Sequence, residues 1–374
     1  MIHLVFWCSI LMLGYTYIGY PLIIWLLARI WPSHIKKSTF VPPVTIVIVV
    51  YNEARLICNK LDNCLALAYP REKLKIMVVS DGSTDSTQTL VEGHAEKGVH
   101  LLAFSQRRGK SACINAAVAA CSTDYIVFTD VRQQLAEDAI EKLMSAIGDQ
   151  KVGAVSGELM FDDHQHTAFS RGIDAYWRYE KFIRHHEGVF NSVVGVTGAL
   201  YGLKKSCFQP IPEGTILDDV LIPMNMVLSG KRVIFEPAAK AYDVPSRDSK
   251  RERARKLRTL AGNYQLLAIK PVLLNPFRNP IWFQLVSHKL LRLVAPVFMT
   301  SLLLANSILA GNSTSYAILL AGQIGFYISA LLGGTFPRLQ EVRGIRLVLT
   351  FCMLNWFAVL GFLEFIKNRK THLW

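Results

Sequence analysis

Four stretches of this chain are nearly free of charge: residues 4–30, 293–310, 315–334 and 347–366. Each is close to the roughly 20 residues that a helix needs to cross the hydrocarbon core of a bilayer. Apolar residues make up 51% of the 374-residue chain, and the mean hydropathy is +0.28, high for a soluble enzyme. The first stretch lacks the charged leader, the short apolar core and the small-residue cleavage site of a signal peptide, so it reads as an anchor. An integral membrane protein with four spans is expected.

Between the first span and the others lies a segment of different grammar. Three apolar runs end abruptly in acidic or small polar residues: Val44-Thr-Ile-Val-Ile-Val-Val-Tyr-Asn-Glu53, Val78-Val-Ser-Asp-Gly-Ser-Thr-Asp85 and Phe128-Thr-Asp130. Buried parallel strands have this apolar look, and ligands bind at their carboxyl ends. Strands are predicted at 44–51, 75–80, 100–104, 125–129 and 152–159, with helices at 54–67, 86–96, 110–120 and 137–147. That alternation predicts a doubly wound α/β sheet.

A net charge of +13 suits a protein that lies against anionic lipid and handles phosphorylated ligands. The long apolar stretches argue against nucleic acid as the partner. The seven cysteines show no CxxC pair or other metal-ligand spacing and read as reduced core or lipid-facing residues. Arg29, Lys36 and Lys37 follow the first span and place the next domain in the cytoplasm, at a plasma or inner membrane. Both the tail 367–370 and the loop with Arg338, Arg343 and Arg346 are basic, so one of them breaks the positive-inside rule.

In the stretch 249–270, Arg251, Arg255 and Arg258 share one helical face, with Leu257, Leu260, Ala261, Tyr264, Leu267 and Ala268 opposite. This predicts a basic amphipathic helix in the membrane interface, with a helix packed on the soluble domain as the alternative. Trp282, Phe283, His288, Lys289 and Arg292 then read as an interfacial approach to the second span. The divisions expected are an anchor at 1–31, a catalytic domain at 40–245, interfacial helices at 246–292 and membrane helices at 293–374.

The polar residues at the strand ends suit a polar, phosphorylated small molecule. The Tyr51 ring can stack on a base, and the Glu53 carboxylate can take ribose hydroxyls. Gly82 permits a turn, and Ser83 is expected to cap the helix after it. Lys110, opening a helix after Gly109, is placed to meet a phosphate favoured by the exposed N–H groups. Asp130 is a hard oxygen ligand for Mg²⁺ or Mn²⁺. Asp218 and Asp219 are flanked by apolar Leu217 and Val220-Leu-Ile222, a setting that raises a carboxylate pKa toward that of a useful base. Each motif alone has a plainer reading as a capped turn, a solvated basic loop or an acidic helix start.

Taken in order, these motifs resemble a membrane-bound family 2 glycosyltransferase of the branch with cellulose, hyaluronan, chitin and poly-N-acetylglucosamine synthases. The resemblance implies a GT-A-type (Rossmann-like) α/β catalytic domain plus an α-helical transmembrane bundle. It implies that Tyr51, Glu53 and Asp81 hold the nucleoside of a UDP-sugar, Lys110 its phosphates, and Asp130 the divalent ion. Asp219 would be the catalytic base, Gly198 and Asp218 would meet the acceptor, and Arg258 would bind diphosphate. Two departures stand out. Arg132 replaces the second Asp of the family's Asp-x-Asp, so either Arg132 pairs with phosphate itself or another acid such as Glu158 or Asp243 supplies the missing ligand. Arg255 and Thr259 replace the Gln and Trp of Gln-x-x-Arg-Trp. The acceptor is expected to be a growing polysaccharide, with a polyprenyl phosphate or other lipid, or an inactive export subunit, as alternatives. Tyr176, Trp177 and Tyr179 are candidate sugar-stacking rings elsewhere.

Overall fold

The computed structural model describes residues 1–161, 168–243 and 249–367, the side chains of 168–174 and 249–252 excepted. Its core is a sheet of eight strands, β1 Val44–Val50, β2 Leu74–Ser80, β3 Val99–Ala103, β4 Tyr125–Phe128, β5 Gln134–Leu135, β6 Val152–Phe161, β7 Tyr201–Lys204 and β8 Arg232–Asp243. They lie in the order β3-β2-β1-β4-β7-β6-β8-β5. All 7 residues of β1 are buried, which is why the strand reads as a continuous apolar run instead of alternating. Val44, Ile46, Ile48 and Val50 face one core with the helices Ile57–Leu65 and Ala139–Ile147. Val47 and Val49 face the other, with Lys110–Ala120 and Asp218–Leu228.

β1 runs parallel to β2 and β4, with Val50 beside Ser80 and Val47 beside Phe128. The three polar strand ends therefore share one rim. Beyond β4 the sheet departs from a doubly wound arrangement: β7 runs antiparallel to both β4 and β6, and β8 is parallel to β6. The reversal has a consequence for the site. Because Tyr201 pairs with Phe128 in opposite directions, the residues before Tyr201 lie beside those after Phe128. The helix predicted from residue 54 begins instead at Ile57, since the Ala54 N–H donates to Asp85 Oδ2 in a loop. β7, β8 and the helices Ala168–Phe190 and Asp218–Leu228 were not among the predicted elements.

Four helices are long and apolar enough to cross a membrane: Ile2–Ile30, Trp282–Ala310, Thr314–Thr335 and Arg343–Lys367. Leu11, Ile18, Leu22, Ile318, Leu331 and Trp356 stand exposed on them, as side chains facing hydrocarbon do. The second of these helices already begins at Trp282, and this corrects the interfacial reading of its polar residues. His288 is buried, and its two ring nitrogens stand 2.9 Å from Glu187 Oε1 and 2.9 Å from Glu180 Oε2 on the 168–190 helix. Tyr20 of the first span donates to Glu187 Oε1 at 2.5 Å, and Arg292 pairs with Glu180. A buried polar network thus ties two spans to the sheet domain.

The Ser249–Ile269 helix lies between the sheet domain and the last span. A Cβ on Gly361 would stand 2.6 Å from Leu260 Cβ, and one on Gly262 would stand 2.7 Å from Leu217 Cγ. Tyr264 packs on Phe362 and Phe365 at ring separations of 5.2 and 6.0 Å. Leu260, Ala261 and Tyr264 of the expected apolar face therefore meet protein. The Arg251 side chain and residues 368–370 lie outside the described residues.

Candidate active site

The end of the rim that carries Tyr51, Glu53 and Asp81 is built from three laced loops. Asn52 adopts a left-handed φ of 54°, and its N–H donates to Ser83 Oγ while its Oδ1 accepts from Thr84 N–H at 2.8 Å. Ser83 is therefore spent on this loop, and the expected helix cap is not made. Gly82 (φ 70°) is needed because a Cβ there would stand 2.7 Å from the backbone of Gln106 and Arg107. The neighbouring Asp81 is fully buried, and its carboxylate accepts from the N–H groups of Arg108 at 2.6 Å and Gly109 at 3.0 Å. Asp81 thus holds the loop that delivers Lys110. The Arg107 guanidinium lies 4.0 Å from the centre of the half-buried Tyr51 ring, within range of a cation–π contact. Glu53 is half-buried beside them, its N–H donating to Thr87 Oγ1.

The end that carries Lys110 and the acids lies where β4 and β7 meet. Lys110 Nζ stands 3.0 Å from Asp130 Oδ1 and 3.7 Å from Asp218 Oδ2. Burial pulls the Lys110 pKa down, but the carboxylates outweigh it, so the pKa is raised and the ammonium stays charged. Gly198 faces this pair: a Cβ there would meet Asp130 Oδ2 at 3.6 Å and Lys110 Nζ at 3.8 Å. Asp218 and Asp219 open the 218–228 helix, and the Val196 N–H donates to Asp219 O at 2.8 Å. Burial, then the charge of Asp218, pushes the Asp219 carboxyl up to about 7, against the pull of Lys110 and Lys289. Arg258 is half-buried over the same group; burial lowers its pKa, opposed first by Asp218. Gln265, further along that helix, accepts from Ile216 N–H and donates to Gly214 O, which clamps the approach to the acid pair.

The two other acids considered for the metal are already engaged. Asp243 Oδ2 accepts from Arg132 and, at 2.9 Å, from Gln133, while Glu158 is paired with Lys181 at 2.8 Å. Arg132 thus neutralises a carboxylate of β8. Among the described residues no group of three or more His, Cys, Asp or Glu could hold a metal ion. A Mg²⁺-like ion needs less, one or two carboxylates with substrate phosphates and water completing the shell. Asp130, 43% exposed in its side chain, and Asp218, whose buried Oδ2 has no hydrogen-bond partner, fit that smaller requirement.

Three further residues shape this site. Lys60 is fully buried and donates to Thr129 Oγ1 at 2.9 Å and Gln133 O at 2.6 Å, pinning both ends of the loop that carries Asp130 and Arg132. On the helix 57–65 it looks like any solvated lysine. Tyr201 lines the Lys110–Asp130 pocket with a buried hydroxyl that has no hydrogen-bond partner. Arg184 reaches Ser156 Oγ at 2.7 Å, and Ser156 Oγ accepts from Thr197 N–H at 3.0 Å beside Gly198. Asn115, five residues after Lys110, exchanges hydrogen bonds with the Ile211 backbone.

Residues 45–209 match the family model described as glycosyl transferase family 2. Poly-beta-1,6-N-acetyl-D-glucosamine synthase of Staphylococcus aureus is 26% identical over 204 residues, covering 53% of this chain and 49% of the relative. The probable glycosyltransferase YdaM of Bacillus subtilis is 22% identical over 223 residues, covering 57% of this chain and 52% of YdaM. The chain thus spans about half the length of the curated relatives it matches. The mannosyltransferase PcManGT from Pyrobaculum calidifontis, solved with GDP-Man and Mn²⁺, superposes over 99% of this chain and 100% of its own, with a TM-score of 0.72 at 22% identity. Residues 45–209 are therefore a glycosyltransferase family 2 domain of GT-A fold, set on four helices long enough and apolar enough to cross a membrane.

Proposed function

We propose that the chain is an inverting glycosyltransferase that moves a sugar from a nucleotide-sugar, a UDP-sugar first of all, to a growing polysaccharide at the cytoplasmic membrane face. One observation carries this reading: Lys110 Nζ stands 3.0 Å from Asp130 and 3.7 Å from Asp218. This supports a phosphate-binding Lys110 next to the acid pair whose second member, Asp219, would be the base. On this reading Tyr51 stacks on the base, Glu53 takes the ribose, and Asp81 positions the loop that lets Lys110 and Arg258 meet the diphosphate. A bound Mg²⁺ or Mn²⁺, held by Asp130 and Asp218, would offset charge on the departing diphosphate. Asp219 takes the proton of the acceptor hydroxyl as that oxygen bonds to the anomeric carbon from the face opposite the breaking bond to phosphate. Gly198 leaves room for the incoming sugar.

The relative in Staphylococcus is named as a poly-N-acetylglucosamine synthase, while PcManGT is a mannosyltransferase that holds GDP-Man. Both nucleotides therefore belong in the test. Purified protein incubated with a panel of UDP- and GDP-sugars, with and without Mg²⁺ or Mn²⁺, should release free nucleotide and yield a saccharide identified by mass. No turnover with any donor would sink the proposal. Transfer of one sugar to a lipid phosphate is the second reading, favoured by Thr259. It is exposed where processive relatives are expected to carry a stacking Trp. An organic-soluble product in place of a polymer would establish it.

A further inference from the structure

Beyond the donor rim, the sheet carries a second pocket on β6 and β8, lined by Glu158, Trp177, Glu180, Lys181, Arg184 and Phe235. None of these residues takes part in donor binding as described above. We propose that this pocket is a subsite for a neutral saccharide, the acceptor sugar, with Trp177 as its stacking platform. The proposal rests on the transferase reading above and deepens it.

Sugars present an apolar C–H face and a rim of hydroxyls, so their sites pair an aromatic ring with groups that both donate and accept. Trp177 is half-buried, with Phe161 behind it at a ring separation of 5.4 Å. At the pocket edge, Glu158 and Lys181 form an ion pair at 2.8 Å, an acceptor beside a donor with no net charge. Arg184 lies 4.9 Å from the Phe235 ring centre and is turned onto Ser156 Oγ and Gly195 O. Glu180 is held by His288 and Arg292. The charges of the lining thus balance, which suits an uncharged hexose and leaves no surplus cation for a phosphate.

The pocket is also joined to the proposed base. Ser156 Oγ, which Arg184 holds, accepts from Thr197 N–H, and the next residue is Gly198. Val196 N–H in the same loop donates to Asp219 O. A chain lying on Trp177 would therefore sit next to the Val196–Gly198 loop that touches Asp219. This supplies the ring that Thr259 does not.

The test uses the full chain in lipid nanodiscs. Equilibrium binding of a β-1,6-linked N-acetylglucosamine pentasaccharide, cellopentaose and mannopentaose is measured alongside binding of UDP and GDP. At least one pentasaccharide should bind, with affinity reduced roughly tenfold in Trp177→Ala and largely restored in Trp177→Tyr, as expected for a stacking contact. Nucleotide affinity should stay within about twofold, as it also reports folding. Glu158→Gln, which keeps the side-chain shape, should lower pentasaccharide affinity several-fold and carries the test if Trp177→Ala does not fold. Equal saccharide affinity in wild type and both variants overturns the proposal, and so does the absence of binding by all three probes. Release of nucleotide from nucleotide-sugars is scored separately: its absence from the wild type removes the transferase reading, whatever the saccharides do.

Discussion

Burial and the charge of Asp218 together place the Asp219 carboxyl near 7, against an ordinary Asp value of about 4. A base must be unprotonated to work, so kcat/KM should rise with pH along a limb centred close to 7. Asp218→Asn removes the like charge and should move that limb to lower pH, though not fully back, because burial is the larger cause. A limb unmoved in that variant would break the assignment. Asp219→Asn should cut transfer by about 10²–10⁴-fold with nucleotide binding nearly intact. The same shift has a stability consequence. A carboxyl with a raised folded-state pKa favours folding below about pH 4, and that contribution is lost as pH rises through about 7. Asp219→Asn should therefore raise the unfolding temperature at pH 8 and change it little at pH 4. Thermal unfolding at the two pH values checks this.

At the scale of elements, the Ser249–Ile269 helix is the part whose position controls the acid pair. Gly262 sits against Leu217, where an added Cβ would come within 2.7 Å, and Gln265 holds the 214–216 backbone. Gly262→Val should push the helix away from the segment leading into Asp218 and carry Arg258 with it. A fall in turnover of about tenfold or more is expected, with the sheet domain still binding nucleotide. Unchanged kcat in a folded Gly262→Val variant would show that the helix is a passive support.

For the whole molecule, the junction between sheet and membrane rests on buried charge. Glu187 Oε1 accepts from Tyr20 on the first span and meets His288 on the second. Removing one partner of such a network leaves the others buried and unpaired. Glu187→Ala should therefore cost about 3–5 kcal/mol, read as a drop of several degrees in the unfolding temperature of the detergent-solubilised protein. A drop no larger than that of an exposed substitution would mean that water or a new partner fills the gap.

Much of this protein was legible before any coordinates. Four nearly uncharged stretches of spanning length, and apolar runs that stop at Glu53, Asp81 and Asp130, are legible in the sequence because both patterns are local. What the linear pattern did not contain was anything that depends on pairing direction or on partners distant in the chain. The antiparallel entry of β7, which sets Gly198 beside Asp130, is a choice of sheet order that single-strand composition does not encode. Arg132 looked like a broken metal motif until Asp243, distant in sequence, was found to be its partner. His288 and Arg292 looked like headgroup anchors until Glu180 and Glu187 met them in the interior. Lys60 looked solvated. A charged side chain has the same sequence signature exposed or buried, and only the tertiary fold decides whether it meets water, lipid or a counter-charge.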